Sequence, residues 1–384
     1  MMWKLLFRNA FRHTLRALLT VFGVAVAVLA FGLLRTVVDA WYAGVSAAAA
    51  NRLVIRNAIS LTFFLPIAYM EKVRAVDGVA AISHMTWFGG IYVDRKNFFA
   101  NFAVEGSPFF DLYPEFILPE DQRDAFGRDR KGCVVGRALA RRFGWKLGDS
   151  ISLEGTIFRG DWPMVVRGIY SGRDRNVDEN QLFFHWNYLN ERLRAAGQRR
   201  ANHVGIFIIE IADPLSAAAV AGSIDAAFRN SLAETLTETE RAFQMGFVSM
   251  SEAILMAIRL VSFLIIGIIM AVAANTMIMS VRERMHEFAV LKTLGFGAVR
   301  LGGLILGESA VICAAGGALG IVGTFPALRI LAQYVSNVFP VLDITTTTLV
   351  YDALAAAAVA LVAAAFPIRR VVTVPIVEAL GRAG

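Results

Sequence analysis

Four long apolar runs constrain this chain more than any other feature of it. Residues 17–34 carry no charge and end at Arg35, and residues 260–281 carry none either. Residues 301–328 hold only Glu308, and the Ala-rich stretch 349–368 holds only Asp352. Each is long enough to cross roughly 30 Å of hydrocarbon with some tilt. Composition agrees: 57% of residues are hydrophobic and 18% charged, where soluble domains carry roughly a quarter charged. The first run has the basic start of a secretory signal, but it outlasts a usual h-region. The small residues at positions 46–50 also come well beyond its end. An uncleaved anchor is therefore expected.

Orientation follows from Lys and Arg near the span ends. Lys4, Arg8, Arg12 and Arg16 precede the first span with no acid among them. Arg282, Arg284, Lys292 and Arg300 lie between the second and third, and Arg369, Arg370 and Arg382 follow the fourth. The link 332–351 has Asp343 and no Lys or Arg. All three basic clusters are expected in the cytoplasm, which leaves the segment between the first two spans outside. Trp3, Leu6, Phe7, Ala10 and Phe11 recur at helical spacing opposite Lys4, Arg8 and Arg12. They suit an amphipathic helix on the inner leaflet, or equally an extension of the first span.

The external segment reads as an α+β domain. Leu53-Val54-Ile55, Met164-Val165-Val166 and residues 205–211 read as strands, punctuated by Gly and Pro. Residues 214–230 read as a helix packing on a sheet through Leu215, Ala218, Ala221, Ile224 and Phe228. The aromatic stretch Phe98, Phe99, Phe102, Phe109, Phe110, Tyr113 and Phe116 suits a core, or alternatively a greasy cleft.

Little chemistry is encoded. The net charge of +7 gathers at span ends, without basic residues interleaved with aromatics, so nucleic-acid binding is not expected. No P-loop occurs. His286-Glu287 lacks the second His of a zinc protease because Val290 stands there, and Gly307-Glu308-Ser309 lacks the closing Gly of a nucleophile elbow. The five histidines are scattered, and Cys133 and Cys313 belong to different compartments, so neither metal site nor disulfide is expected. No catalytic, cofactor or metal residue is assigned.

Two features carry more. Residues 281–295 form a short charged helix on pattern, with Phe288, Leu291 and Leu294 on one side and Gly295 as its stop. A rigid helix between two spans is placed to take a push from a cytoplasmic partner, or it is a solvated interfacial helix. In the third span, Gly303/Gly307 and Gly316/Gly320 have close-approach spacing, with Gly317 beside them. Glu308 is a costly carboxyl at that depth, expected to face protein, water or headgroups.

One span, a domain of about two hundred residues and three closely spaced spans resemble the MacB–LolC–FtsX family of ABC transporter permeases. Residues 282–295, Arg-Glu-Arg-Met-His-Glu-Phe-Ala-Val-Leu-Lys-Thr-Leu-Gly, are similar to that family's loop after the second span. Glu308 ahead of Gly316-Gly317-Ala-Leu-Gly320 is similar to its continuation. Pro-Ile-Val-Glu-Ala-Leu at 375–380 resembles the family's C-terminal ending. Val-Val-Gly-Arg-Ala-Leu-Ala at 134–140, Gly-Asp-Ser-Ile-Ser-Leu at 148–153, Ile-Asp-Ala-Ala-Phe-Arg-Asn-Ser at 224–231 and Thr-Glu-Thr-Glu at 237–240 resemble its periplasmic core.

The resemblance implies an α-helical membrane protein of four transmembrane helices, with a large α+β extracytoplasmic domain between helices 1 and 2. Its divisions would be an amphipathic N-terminal helix 1–16, first span 17–38, periplasmic MacB-like domain 39–250 and second span 254–280. A cytoplasmic coupling helix 281–298, third span 301–331, fourth span 345–368 and cytoplasmic C-terminus 369–384 would follow. Such a chain is a permease of the bacterial inner membrane that does not hydrolyse ATP itself. Two copies of a separate ATPase would bind ATP and Mg and dock beneath a pair of permease chains, identical or related, seamed through spans one and two. A periplasmic adaptor belongs to the tripartite efflux branch.

Force would pass through a coupling helix bearing Arg282, Glu283, Arg284, Glu287, Phe288, Leu291, Lys292 and Gly295. Gly303, Gly307, Glu308, Gly316, Gly317 and Gly320 would pack the third span, inside the subunit. Charge reversal at Arg284 and Glu287 is expected to uncouple ATP hydrolysis from function. The cargo would be an amphiphile or hydrophobic compound: lipid, lipoprotein or drug. The alternative is a transmembrane regulator that uses the ATPase to control an extracytoplasmic enzyme. A membrane enzyme built on Glu308 or the histidines is a third reading. A hairpin after Gly155 is expected to be elaborated around Gly160, Asp161 and Pro163.

Overall fold

The structure, a computed structural model, describes residue 10 and residues 12–97, 99–174, 176–335 and 342–374. Most of the expected N-terminal amphipathic helix, Phe98 and the 375–380 motif lie outside the described residues. The chain forms two compact units, Trp41–Ser251 and the unit of the long helices.

The first unit is a mixed sheet with helices on it. Its strands are β1 (Arg52–Asn57), β2 (Leu65–Pro66), β3 (Val79–Trp87), β4 (Gly90–Ile91), β5 (Ala100–Val104), β6 (Phe116–Ile117) and β7 (Gly132–Gly136). Then come β8 (Ser150–Gly155), β9 (Gly160–Gly172), β10 (Gln181–His185), β11 (His203–Val204), β12 (Ile206–Ile211) and β13 (Thr235–Thr239). The order is β13-β1-β12-β3-β5-β10-β7-β9-β8-β4, with β6 on β9 and a small β2–β11 pair. The β5–β10 and β7–β9 pairs are parallel and the others antiparallel.

Both faces of the sheet are covered, so a central strand must be apolar on both sides. β12, Ile-Phe-Ile-Ile-Glu-Ile, meets that demand. Ile206 and Ile208 join Val54 and Phe183 on one face, while Phe207, Ile209 and Ile211 join Leu53 and Ile55 on the other. Strand alternation sends successive side chains to opposite faces.

Two local expectations need correction. β8 and β9 form a direct hairpin in which Gly155 faces Gly160, so residues 156–159 are a short turn without elaboration. A Cβ on Gly155 would lie 1.9 Å from the carbonyl oxygen of Phe158, so glycine permits the tight closure. The helix expected over 214–230 starts later, at Ala217, and ends at Ala227. Pro214–Ser216 is a 3-10 turn whose Leu215 amide donates to Asp213. That turn leaves Leu215 93% exposed and makes Val220, Ile224 and Phe228 the buried stripe. Asp225 then pins the helix to β13 by accepting from the hydroxyls of Thr235 and Thr237 at 2.8 and 2.7 Å.

In the second unit, four helices among the described residues are long and apolar enough to cross a membrane: Thr14–Trp41, Glu252–Glu283, Ala298–Gln333 and Thr346–Thr373. The third continues to Val335. They are referred to below as spans one to four. Their shared core includes Val24 and Val28 of span one, Ala273 of span two, Ile305 and Ile312 of span three, and Ala363 of span four. Polar ties join them where a lone donor in hydrocarbon would be costly. The Ser309 hydroxyl donates to the Ala360 carbonyl at 2.9 Å. Thr345 caps span four by accepting from the Thr348 amide, and the Thr348 hydroxyl donates to Asp39 of span one at 2.9 Å.

Candidate functional site

The helix of span two runs on to Glu283, and the chain turns at Arg284 before a second helix, Met285–Thr293. This interspan helix ends in a Schellman motif. Gly295, at φ +86°, donates to the Lys292 carbonyl at 3.0 Å, and the Phe296 amide reaches the Leu291 carbonyl at 3.0 Å. Only a residue at ease in the left-handed region closes a helix this way cheaply.

Three sets of contacts hold the helix against the spans. Arg284 sits at its start, its side chain only 12% exposed. It donates to Glu308 of span three at 2.8 Å and to Glu287 at 3.1 Å, and lies over the Phe288 ring. Glu308 is buried and also accepts from the Ser280 hydroxyl at 3.4 Å. The carboxyl expected to be costly thus faces protein and is charge-paired. Arg12, just ahead of span one, pairs with Glu287 of the helix, and beside it Arg16 of span one makes a two-pronged pair with Glu283, the last residue of span two, at 2.9 and 2.8 Å. The Arg12 hydrogen bond, seconded by Arg284, holds the Glu287 carboxyl below the usual carboxylate range. At the far end the Lys292 ammonium donates to the carbonyls of Val372 and Val374 at 3.2 and 2.9 Å. These lie at the end of span four, where helix carbonyls lack intrahelical partners and favour a cation.

The outer face is bare. Phe288 and Ala289 are buried beneath the helix, Leu291 is half-buried, but Val290 and Leu294 are 41% and 70% exposed. Leu294 therefore does not continue the buried stripe expected from Phe288 and Leu291; the Schellman turn carries it outward. Arg282, Glu283 and Glu287 are exposed on the same unit.

The glycines of span three divide by what faces them. A Cβ on Gly316 would lie 2.8 Å from the Val21 carbonyl oxygen, and one on Gly320 2.7 Å from that of Ala25. Here the backbones of spans one and three touch. Gly317 meets Ala356 of span four. Gly303 is exposed and has nothing within reach of a Cβ, so it makes no comparable seam, and Gly307 is half-buried.

The arrangement invites comparison with known transporters. Residues 259–376 match the FtsX-like permease C-terminal family, and residues 17–227, more than half the chain, match the MacB-like periplasmic core domain. The chain is an ABC transporter permease of the MacB/FtsX-like family. Its first unit is the extracytoplasmic domain of such a permease, and its helical unit the membrane-embedded part. Among solved structures it is similar to the extracellular domain of the noncanonic ABC-type transporter YknZ from Gram-positive bacteria, at 12% identity and TM-score 0.37. That match covers 49% of this chain and all of that one. A domain assigned to a permease protein from Porphyromonas gingivalis matches at 15% identity and TM-score 0.33, over 50% of this chain and 90% of that one. Comparison with curated proteins returned no match.

Permeases of this family work with an ATPase partner. For this permease, sequence reasoning passed over Arg12 as a partner of the interspan helix and Arg16 as a partner of the end of span two. Their four-residue spacing matches that of Glu283 and Glu287, a signal present in the sequence but linking segments some 270 residues apart. The carbonyls that Lys292 grips have no sequence signal at all.

Proposed function

We propose that this permease is the membrane subunit of an ATP-driven transporter that transmits force across the bilayer. In this reading, two copies of the ATPase carry ATP and Mg, and their closure pushes the interspan helix. A second permease chain seats on the exposed apolar faces of spans one and two, where Phe22 and Phe263 are each 68% exposed. The basic span ends support a topology with both termini and the interspan helix in the cytoplasm and the large domain outside. The work is done there on an amphiphilic or hydrophobic substrate.

The observation that carries the reading is the contrast between the two sides of the interspan helix. One side is fastened to the start of span one, to span three and to span four through Arg12, Glu308 and Lys292. The other presents Val290 and Leu294 to solvent. A helix fixed to the spans and apolar at its free tip suits a lever that seats in a partner's groove. The geometry also moves the test away from Arg284, whose reversal would place a second carboxylate beside buried Glu308. Val290→Asp with Leu294→Asp alters the free tip alone. Purification of the tagged permease in mild detergent from its native host is expected to bring an ATPase subunit in stoichiometric amount, with vanadate-sensitive hydrolysis. The double variant should insert normally and lose that subunit. Retention of the subunit and of full activity by the variant would sink the assignment.

A further inference from the structure

The aromatic stretch of the external domain is not all core. Phe102, Phe109, Tyr113 and Phe116, with Phe183 of β10, line an open cavity of about 160 Å³ on one face of the sheet. The rings brace one another: Phe109 and Phe116 lie 5.2 and 5.3 Å from Phe183, and Phe102 6.0 Å from it. A cavity of about 150 Å³ lined by such side chains admits one benzene ring.

Its polar wall is unbalanced. Among the described residues lining it, Glu115, Asp178 and Glu240 oppose the lone guanidinium of Arg52. Arg52 is fully engaged. It donates to Glu115 at 3.0 Å, to Glu240 at 2.8 Å and to the Leu112 carbonyl at 2.7 Å, while stacking on Tyr113 at 4.1 Å. Two carboxylates thus answer one cation, and Asp178 is left over. Its hydrogen bonds come from neutral donors, the Asn180 amide at 2.7 Å and the Gln181 side chain at 3.0 Å. Burial holds this carboxyl above the usual carboxylate range, which is the condition a bound cation relieves. Ring faces are negative and attract cations as well.

We propose that this cavity binds an organic ammonium ion bearing about one ring's bulk of apolar surface, held by Asp178 and the aromatic floor. Occupancy would bear on both connections to the membrane helices. Ala48, shortly after span one, lines the cavity, as do Glu240 and Gln244 of the Glu240–Met250 helix that precedes span two. The Ala49 amide donates to Glu240 at 3.0 Å, so these two segments are already joined at the cavity wall.

The test uses the purified full chain, without ATPase, and so stands apart from the transporter reading. Saturation-transfer NMR titrations would compare benzylammonium with its neutral and anionic counterparts, benzyl alcohol and benzoate. Benzylammonium should bind saturably, at least about tenfold tighter than benzyl alcohol, the equivalent of about 1.4 kcal/mol. Asp178→Asn keeps the shape and should remove most of that preference. Phe116→Leu, at a half-buried ring, should weaken benzylammonium severalfold while leaving the unfolding temperature nearly unchanged. Equal affinity for the ammonium and the alcohol, or a preference unaltered by Asp178→Asn, overturns the proposal. Glycerophosphoethanolamine, a lipid headgroup without its chains, serves as competitor. Displacement of benzylammonium by it supports a lipid source for the cation, and displacement by free amines alone supports a soluble one.

Discussion

Arg284 is the residue whose removal should cost the helical unit most. Its guanidinium is the charge partner of Glu308, and their side chains are 12% and 7% exposed, so solvent screening gives little relief. Arg284→Met strands a buried carboxylate, and breaking such a pair from one side costs about 3–5 kcal/mol. Glu308→Gln is milder, because Arg284 keeps Glu287 at 3.1 Å and a path to water. That change should cost about 1–2 kcal/mol. At roughly 2–4 °C per kcal/mol for a unit of this size, the two variants should unfold about 10 °C and about 4 °C below the parent. The double variant should lose less than the sum, since removing the carboxylate removes the penalty of leaving it alone. Thermal unfolding followed by intrinsic fluorescence, in one detergent and at one concentration, reads all four proteins. An Arg284→Met protein within about 2 °C of the parent, or strictly additive losses, would refute the reasoning.

Three further outcomes are expected. Gly316→Ala and Gly320→Ala should each cost about 1–3 kcal/mol by forcing spans one and three apart, while Gly303→Ala, facing open space, should stay within about 0.5 kcal/mol; the same unfolding assay checks this. His84 is buried in the external domain and burial lowers its pKa from 6.5 to about 4. The unfolded chain therefore binds the proton first, and up to about 3 kcal/mol of stability is lost as pH falls from about 6.5 to 4. His84→Phe should flatten that part of the pH–stability curve of the full chain. Finally, Leu294→Asp alone should weaken co-purification of the ATPase subunit without lowering the unfolding temperature, because this side chain is 70% exposed.

Much of the fold was legible because the strongest signals were local. Uncharged runs mark the spans, and the β-branched run at 205–211 reads as a strand. Gly295 reads as a helix stop because few other residues tolerate its backbone angle. What escaped depended on partners far apart in sequence. Leu215 fell on the expected stripe by spacing, yet the turn capped by Asp213 starts the helix after it. Gly303/Gly307 and Gly316/Gly320 share one spacing, and nothing in that spacing says that Gly303 faces open space while Gly316 and Gly320 meet another helix. Phe102 and Phe116 read first as core, with a cleft as the lesser alternative. Only the neighbouring strand, with Phe183, and the loop bearing Asp178 distinguish the two.

The contact between spans one and three has a consequence for how movement can pass through this permease. Gly316 rests at Val21 and Val24, and Gly320 one turn further along at Ala25 and Val28. The two seats repeat with the helix itself. A slide of about 6 Å, four residues at about 1.5 Å each, would bring Gly316 level with the seat now held by Gly320, whereas a smaller one drives carbonyls and valine methyls into glycine-sized gaps. Such a seam has the geometry of a detent. A push on span three would meet resistance at every position between seats, and any slip would have to be by about a whole turn.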